Sequence, residues 1–131
     1  MLNQDSIQIK TKMNQEKLKI LFVCTANILR SKTAEVIYKD DERFEVQSVG
    51  TSTMEDVGTP ISYEKLNWAD WIVVMDVNHK QHIQFKFPEI YANKKLICLN
   101  IPDDFEFMQK ELITLIKIRF EKIIQTEIHP L

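Results

Sequence analysis

The sequence predicts an α/β domain built on a four-stranded parallel sheet with helices on both faces. Three observations carry that expectation. Short apolar runs alternate with helical stretches along the chain. One of them, Asp70-Trp71-Ile72-Val73-Val74-Met75, is almost continuously apolar, as a strand buried on both faces requires. The length, 131 residues with 44% apolar, suits one domain with a sizeable core.

Taken in order, Leu18-Lys19-Ile20-Leu21-Phe22-Val23 reads as the first strand. Ser31 to Lys39 reads as a helix, and Phe44-Glu45-Val46-Gln47-Ser48-Val49 alternates as a second strand. Both glycines of the chain, Gly50 and Gly58, fall in the loop that follows, so Val49 to Pro60 is its most irregular part. Pro60 suits the first turn of a helix running to about Asn67. The buried run Asp70–Met75 is the third strand. Asn78 to Lys86 reads as a helix capped by Asn78. Lys95-Leu96-Ile97-Cys98-Leu99 is the fourth strand. From Met108 to about Glu127, Leu112, Leu115, Ile116, Phe120 and Ile123 recur at helical spacing. Residues 1–17 are polar and read as a flexible extension ahead of a domain spanning 18–131, with Met13 an alternative functional start.

Charge and composition narrow the partners. A formal net charge of −2 suggests neither a nucleic-acid nor a membrane surface as partner. No apolar run approaches the ~20 residues of a membrane span, and Met1 to Lys17 lacks the apolar centre of a signal peptide. Two cysteines, Cys24 and Cys98, argue against a disulfide framework and fit a reducing cytoplasm.

The chemistry concentrates in Cys24-Thr25-Ala26-Asn27-Ile28-Leu29-Arg30-Ser31, between the first strand and the first helix. If this loop wraps on itself, its N–H groups and the positive end of the helix dipole aim at one point, which suits a phosphate or sulfate. The same field favours the thiolate of a cysteine placed there. Arg30 adds a planar fork matching two phosphoryl oxygens. In an open parallel sheet, ligands bind beyond the carboxyl ends of the strands, near a topological switch point. The Gly50 loop and Asn100-Ile101-Pro102-Asp103-Asp104-Phe105 fall at such ends too. An aspartate across the pocket could protonate a leaving phenolate and then orient water against a phosphocysteine. A solvated turn or a helix cap is the plainer reading of Asp103 and Asp104. Elsewhere, Cys98 reads as a small packed hydrophobe. His79 and His82 read as one solvated helix face without a third metal ligand. His129 reads as inert near a frayed end, and Trp68 and Trp71 as core.

The run Val23-Cys24-Thr25-Ala26-Asn27-Ile28-Leu29-Arg30-Ser31-Lys32-Thr33-Ala34-Glu35 resembles the loop and helix start of the low-molecular-weight protein tyrosine phosphatases. Ser48-Val49-Gly50-Thr51 resembles that family's second strand and turn, and Trp68 to Asp76 its third strand. Ile101-Pro102-Asp103-Asp104-Phe105-Glu106-Phe107-Met108 is similar to the acid segment of a short bacterial branch. The resemblance covers roughly Lys17 to Lys122. It implies a flavodoxin-like three-layer fold and a cytoplasmic phosphatase needing neither metal nor cofactor, acting on a phosphorylated protein or a small aryl phosphate.

Under that resemblance Cys24 attacks phosphorus, and Arg30 holds equatorial oxygens together with the amides of Thr25, Ala26, Asn27, Ile28, Leu29 and Ser31. Asn27 braces the loop, and the Ser31 hydroxyl donates to the thiolate. Asp103, after the rigid Pro102, is the first choice of acid, with Asp104 close behind and Phe105 as an aromatic wall. Four departures from the family pattern stand out. Ala26 replaces a glycine, Lys32 replaces a proline near the mouth, and Leu29 replaces a cysteine that serves many members as a redox guard. The family's pocket aromatic gives way to something near Met54. Ile28 favours an aryl phosphate over phosphoarginine, since the arginine-selective relatives carry threonine there. The alternatives are a catalytically weak phosphate- or phosphoprotein-binding module, an arsenate reductase lacking its cysteine relay, and a sugar-phosphotransfer component.

Overall fold

β1 (Leu18–Cys24) places Leu18, Ile20, Phe22 and Cys24 on one face and Leu21 and Val23 on the other, all buried. Apolar side chains on both faces at a two-residue period make this a central strand. The computed structural model describes residues 17–52 and 58–128; positions 1–16 of the expected extension, Met54 and His129 lie outside them. β1 pairs in parallel with β2 (Phe44–Gly50) on one side and with β3 (Trp71–Val74) on the other. β3 in turn pairs in parallel with β4 (Lys95–Cys98), which gives the order β2-β1-β3-β4. The expected four-stranded parallel sheet is therefore what forms. Its order reverses at β1, so the carboxyl ends of β1 and β3 flank the switch point where such sheets bind ligands.

Two layers of helix cover the sheet. α1 (Arg30–Tyr38) and the last helix, α5 (Lys110–Ile128), lie on one face. Their Ala34, Tyr38, Leu112, Ile116, Phe120 and Ile124 pack on Ile20, Phe22, Trp71 and Val73. Phe120 centres this layer, edge-on to Phe22 at 5.4 Å and to Tyr38 at 5.1 Å. On the opposite face, α2 (Tyr63–Trp68), α3 (Val77–Lys86) and α4 (Pro88–Asn93) bury Leu66, Ile83 and Ile90 against Leu21, Val23, Ile72 and Val74. Trp71 is core as expected, while Trp68 is only partly buried at the edge of the second layer.

Several boundaries differ from the sequence reading, each for a local reason. Pro60 does not open a helix. Gly50 N–H donates to Thr59 O and Ile61 N–H to Gly50 O, both at 2.8 Å, which holds Thr59–Ile61 extended beside β2. The α2 cap is Ser62, whose hydroxyl accepts from Lys65 N–H at 3.2 Å. The α3 cap is Asp76 rather than Asn78. Asp76 holds the extended backbone that a cap needs, and its carboxylate accepts from Asn78 N–H at 2.8 Å. α4 was not expected from the sequence; Pro88 stands at its first turn, where a missing N–H costs nothing. α5 begins at Lys110, because Met108 sits at φ 60°, outside helical space.

Candidate active site

The loop from Cys24 to Arg30 leaves β1 at the switch point and turns directly into α1. α1 has no side-chain cap and no acidic residue in its first turn, so the positive end of its dipole faces the loop uncompensated. Neighbouring segments fix the loop's path. Thr51 N–H donates to Cys24 O at 2.9 Å and Ser52 N–H to Thr25 O at 2.8 Å. From the other side Met75 N–H reaches Val23 O at 2.9 Å. The one left-handed residue of the loop is Asn27, at φ 57°. Asparagine tolerates that region, and Ala26 beside it is not among the residues with positive φ. The Asn27 carboxamide also ties the loop together, accepting from Thr59 N–H at 2.9 Å and donating to Ser31 Oγ at 2.8 Å.

Cys24 is 3% exposed, and its sulfur has two polar neighbours. Asn27 N–H donates to Sγ at 3.2 Å, and Ser31 Oγ lies 2.9 Å from it. Ser31 already accepts from Asn27, and the other acceptor in its reach, Val49 O, is 3.4 Å away. The serine proton is thus left for the sulfur or for Val49 O. Ala26 and Leu29 are partly buried, while Thr25 is exposed and Ile28 presents an apolar side chain to solvent, 47% exposed.

Arg30 is 2% exposed and is held by groups from two other strand ends. Its Nη1 donates to Asp76 Oδ2 at 2.7 Å and to Ile101 O at 2.9 Å. Its Nε lies 3.6 Å from Asp103 Oδ1. The structure thus brings Cys24, Arg30, Ser31 and Asp103 to one place. Asp104 is exposed, while Phe105 packs partly buried against the α1/α5 layer. The segment bearing these residues is pinned at both ends. Arg119 Nη1 donates to Leu99 O at 3.1 Å and to Asn100 O, and Met108 N–H donates to Thr33 Oγ1 at 3.0 Å. Lys32 pairs with Glu35 at 3.5 Å. Cys98 is partly buried on β4, its thiol donating to Asn100 Oδ1 at 3.4 Å.

Two residues of the site were not foreseen. Asp76 anchors the Arg30 guanidinium, and His79, expected on a solvated face, is 1% exposed. The reciprocal capping box of α3 explains its burial. The His79 ring accepts Asp76's own N–H at Nδ1, 3.0 Å away, and its Nε2 lies 3.0 Å from Thr25 Oγ1. Burial pushes the imidazole down, with the Arg30 charge assisting and Asp76 and Asp103 opposing, from 6.5 to about 4. Burial also raises the Asp76 carboxyl, but the Arg30 hydrogen bond, the Asn78 N–H and the Arg30 charge hold it below the usual range. The sequence signal was present: an Asp-x-x-His box immediately after the most buried strand.

These shifts give a stability prediction. Unfolded His79 takes up a proton near pH 6.5, whereas the folded protein resists it until about pH 4. Stability is therefore expected to fall between those values on acidification, by on the order of 3 kcal/mol. Asp76, depressed in the folded state, extends the loss below its ordinary value of 3.8. Burial lowers His82 as well, so its share is common to wild type and variant. Denaturant midpoints at pH 7 and pH 4.5 should show a smaller drop for His79→Gln than for wild type; equal drops would refute the assignment.

Fold and loop together define an open parallel α/β protein with a cysteine-to-arginine loop at its switch point. Solved structures identify the fold more closely as that of the low-molecular-weight protein tyrosine phosphatases. The chain is similar to the YwlE arginine phosphatase from Geobacillus stearothermophilus at 25% identity, over 84% of this chain and 94% of that one, with a TM-score of 0.63. The tyrosine phosphatase Wzb from Escherichia coli K30, solved in complex with phosphate, matches at 19% over 82% and 96%, with a TM-score of 0.67. SP-PTP, the low molecular weight protein tyrosine phosphatase from Streptococcus pyogenes, matches at 20% over 82% and 91%, with a TM-score of 0.66. No protein-family model matches the sequence, and no curated protein matches it. Among the described residues no helix is long and apolar enough to cross a membrane.

Proposed function

We propose that the chain is a cysteine-dependent phosphomonoester hydrolase acting on phosphotyrosine or another aryl phosphate. The meeting of Cys24 Sγ, the buried Arg30 and Asp103 at one loop carries this reading. The Cys24 thiolate attacks phosphorus and forms an S–P bond as the P–O bond to the aryl group breaks. The departing phenolate takes the proton of the Asp103 carboxylic acid. Water then attacks the phosphocysteine and gives a proton to the Asp103 carboxylate, and the S–P bond breaks to release phosphate and restore the thiolate. Arg30 and the loop amides of Thr25, Ala26, Ile28, Leu29 and Ser31 hold the equatorial oxygens, where charge is spread in the transition state, while Asn27 N–H stays on Cys24 Sγ.

Asp103 fits the acid role because it is 61% exposed, and so movable, while its partner Arg30 is fixed. A phosphoryl group at Arg30 Nε displaces it toward the leaving oxygen. The aryl preference is supported by the exposed apolar Ile28 and by Vibrio vulnificus Wzb, whose solved complex holds benzylphosphonate. The YwlE neighbour, an arginine phosphatase, makes phosphoarginine the second substrate to assay.

Aryl phosphates whose phenols differ in basicity test the scheme. Asp103→Asn is expected to lose about 10²- to 10⁴-fold in kcat on the most basic leaving groups and little on p-nitrophenyl phosphate. Asp104→Asn should lose little on either. The opposite pattern would move the acid to Asp104. Tight phosphate binding with no turnover on any ester would instead make the chain a phosphate- or phosphoprotein-binding module.

A further inference from the structure

Two hydroxyls stand beside the nucleophile, and each accepts a hydrogen bond from a neighbouring side chain. Ser31 Oγ accepts from the Asn27 carboxamide, which leaves its proton for Cys24 Sγ or Val49 O. Thr25, on the other side of the cysteine, stands in a parallel arrangement. A backbone N–H can only donate, so His79 Nδ1 must accept from Asp76 N–H. The neutral ring then carries its single proton on Nε2. That proton meets Thr25 Oγ1 at 3.0 Å, so the threonine oxygen is the acceptor in this bond. Its own hydroxyl proton is turned away from His79, and Thr25 lies on the exposed side of the loop.

We propose that His79 is a positioning residue which, through Nε2–H, holds the Thr25 hydroxyl as a donor to an oxygen of the oxyanion in the loop. The loop then offers a side-chain donor in addition to its amides and Arg30. The cap of α3 joins the two ends of the device. Asp76 grips the Arg30 guanidinium with its carboxylate and fixes the His79 tautomer with its N–H. One residue at the end of β3 therefore sets both a charged and a neutral donor of the cradle. A hydrogen bond to a charged acceptor changes binding by roughly 10- to 100-fold.

The inference rests on the oxyanion reading of the loop, and inorganic phosphate binding by the full chain tests it without requiring turnover. Thr25→Val, which keeps the shape and removes the donor, is expected to weaken phosphate by roughly tenfold or more. Thr25→Ser should restore most of the affinity. His79→Gln should weaken phosphate in the wild-type background and add little to Thr25→Val, because the two residues act through one bond. Nitrogen-15 NMR of the ring should place the proton on Nε2. A proton on Nδ1, wild-type affinity in Thr25→Val, or equal losses for valine and serine would each overturn the proposal. Wild-type protein that binds no phosphate would overturn the oxyanion reading together with it.

Discussion

Cys24→Ser is expected to lower turnover of p-nitrophenyl phosphate by about four to six orders of magnitude, the scale of loss when a covalent nucleophile is removed. The same variant should still bind inorganic phosphate. Serine keeps a polar atom where Asn27 N–H and Ser31 Oγ converge, so the loop retains the contacts that shape it. It also removes the negative sulfur that the proposed mechanism sets against a dianion. Phosphate affinity is therefore expected to be equal to, or greater than, that of the wild type, while kcat collapses. Cys98→Ser supplies the control, since that thiol lies on β4 and contacts Asn100 rather than the loop. Stopped assays and calorimetry on the three proteins separate the outcomes. Equal hydrolysis by Cys24→Ser and wild type would remove the nucleophile from the scheme.

How much of this site was legible in the sequence depended on the distance along the chain between its parts. Cys24, Asn27, Arg30 and Ser31 fall within eight residues at a strand–helix seam, so their grouping is a local property that spacing reveals. Asp103 was legible through a second local signal, a carboxylate beside proline at the end of a strand. Asp76 and His79 reach the loop from 46 and 54 residues away. Only the pairing of β1 with β3, which puts Val23 opposite Val74, brings them there. The sequence reading places the cap of α3 at Asn78, while the cap that forms is Asp76, two residues earlier and of an equally suitable type. With Asn78 as the cap, His79 stands in the first turn facing water; with Asp76, its ring folds back on the cap and is buried. α4 escaped for a related reason, since Phe87-Pro88 reads equally as the end of one helix or the start of the next.

Gly50→Ala and Gly58→Ala are expected to damage the cradle from outside it, because both glycines of the chain abut its backbone. A Cβ on Gly50 would stand 2.6 Å from Thr25 O and 2.8 Å from both Ala26 C and Asn27 N. One on Gly58 would stand 2.5 Å from Ala26 O and 2.8 Å from Asn27 Cβ and Asn27 O. All but one of these neighbours are backbone atoms of the loop, which cannot swing aside as a long side chain does. Relief must come from moving the loop, and a shift of its amides lengthens the hydrogen bonds a bound oxyanion would receive. Gly58 carries a second penalty. At φ +60° an alanine costs about 1–2 kcal/mol before any overlap is counted, and overpacking adds about 1–3 kcal/mol. Gly58→Ala should therefore lower stability more than Gly50→Ala, whose backbone is that of a strand end paired with Cys24. Gly50→Ala should cost more phosphate affinity for each unit of stability lost, because its three contacts fall on consecutive residues next to the nucleophile. Denaturant midpoints and phosphate titrations on both variants read the two effects separately. Wild-type affinity in Gly50→Ala would show that the loop yields without disturbing its donors, and the cradle would then not depend on the turn packed behind it.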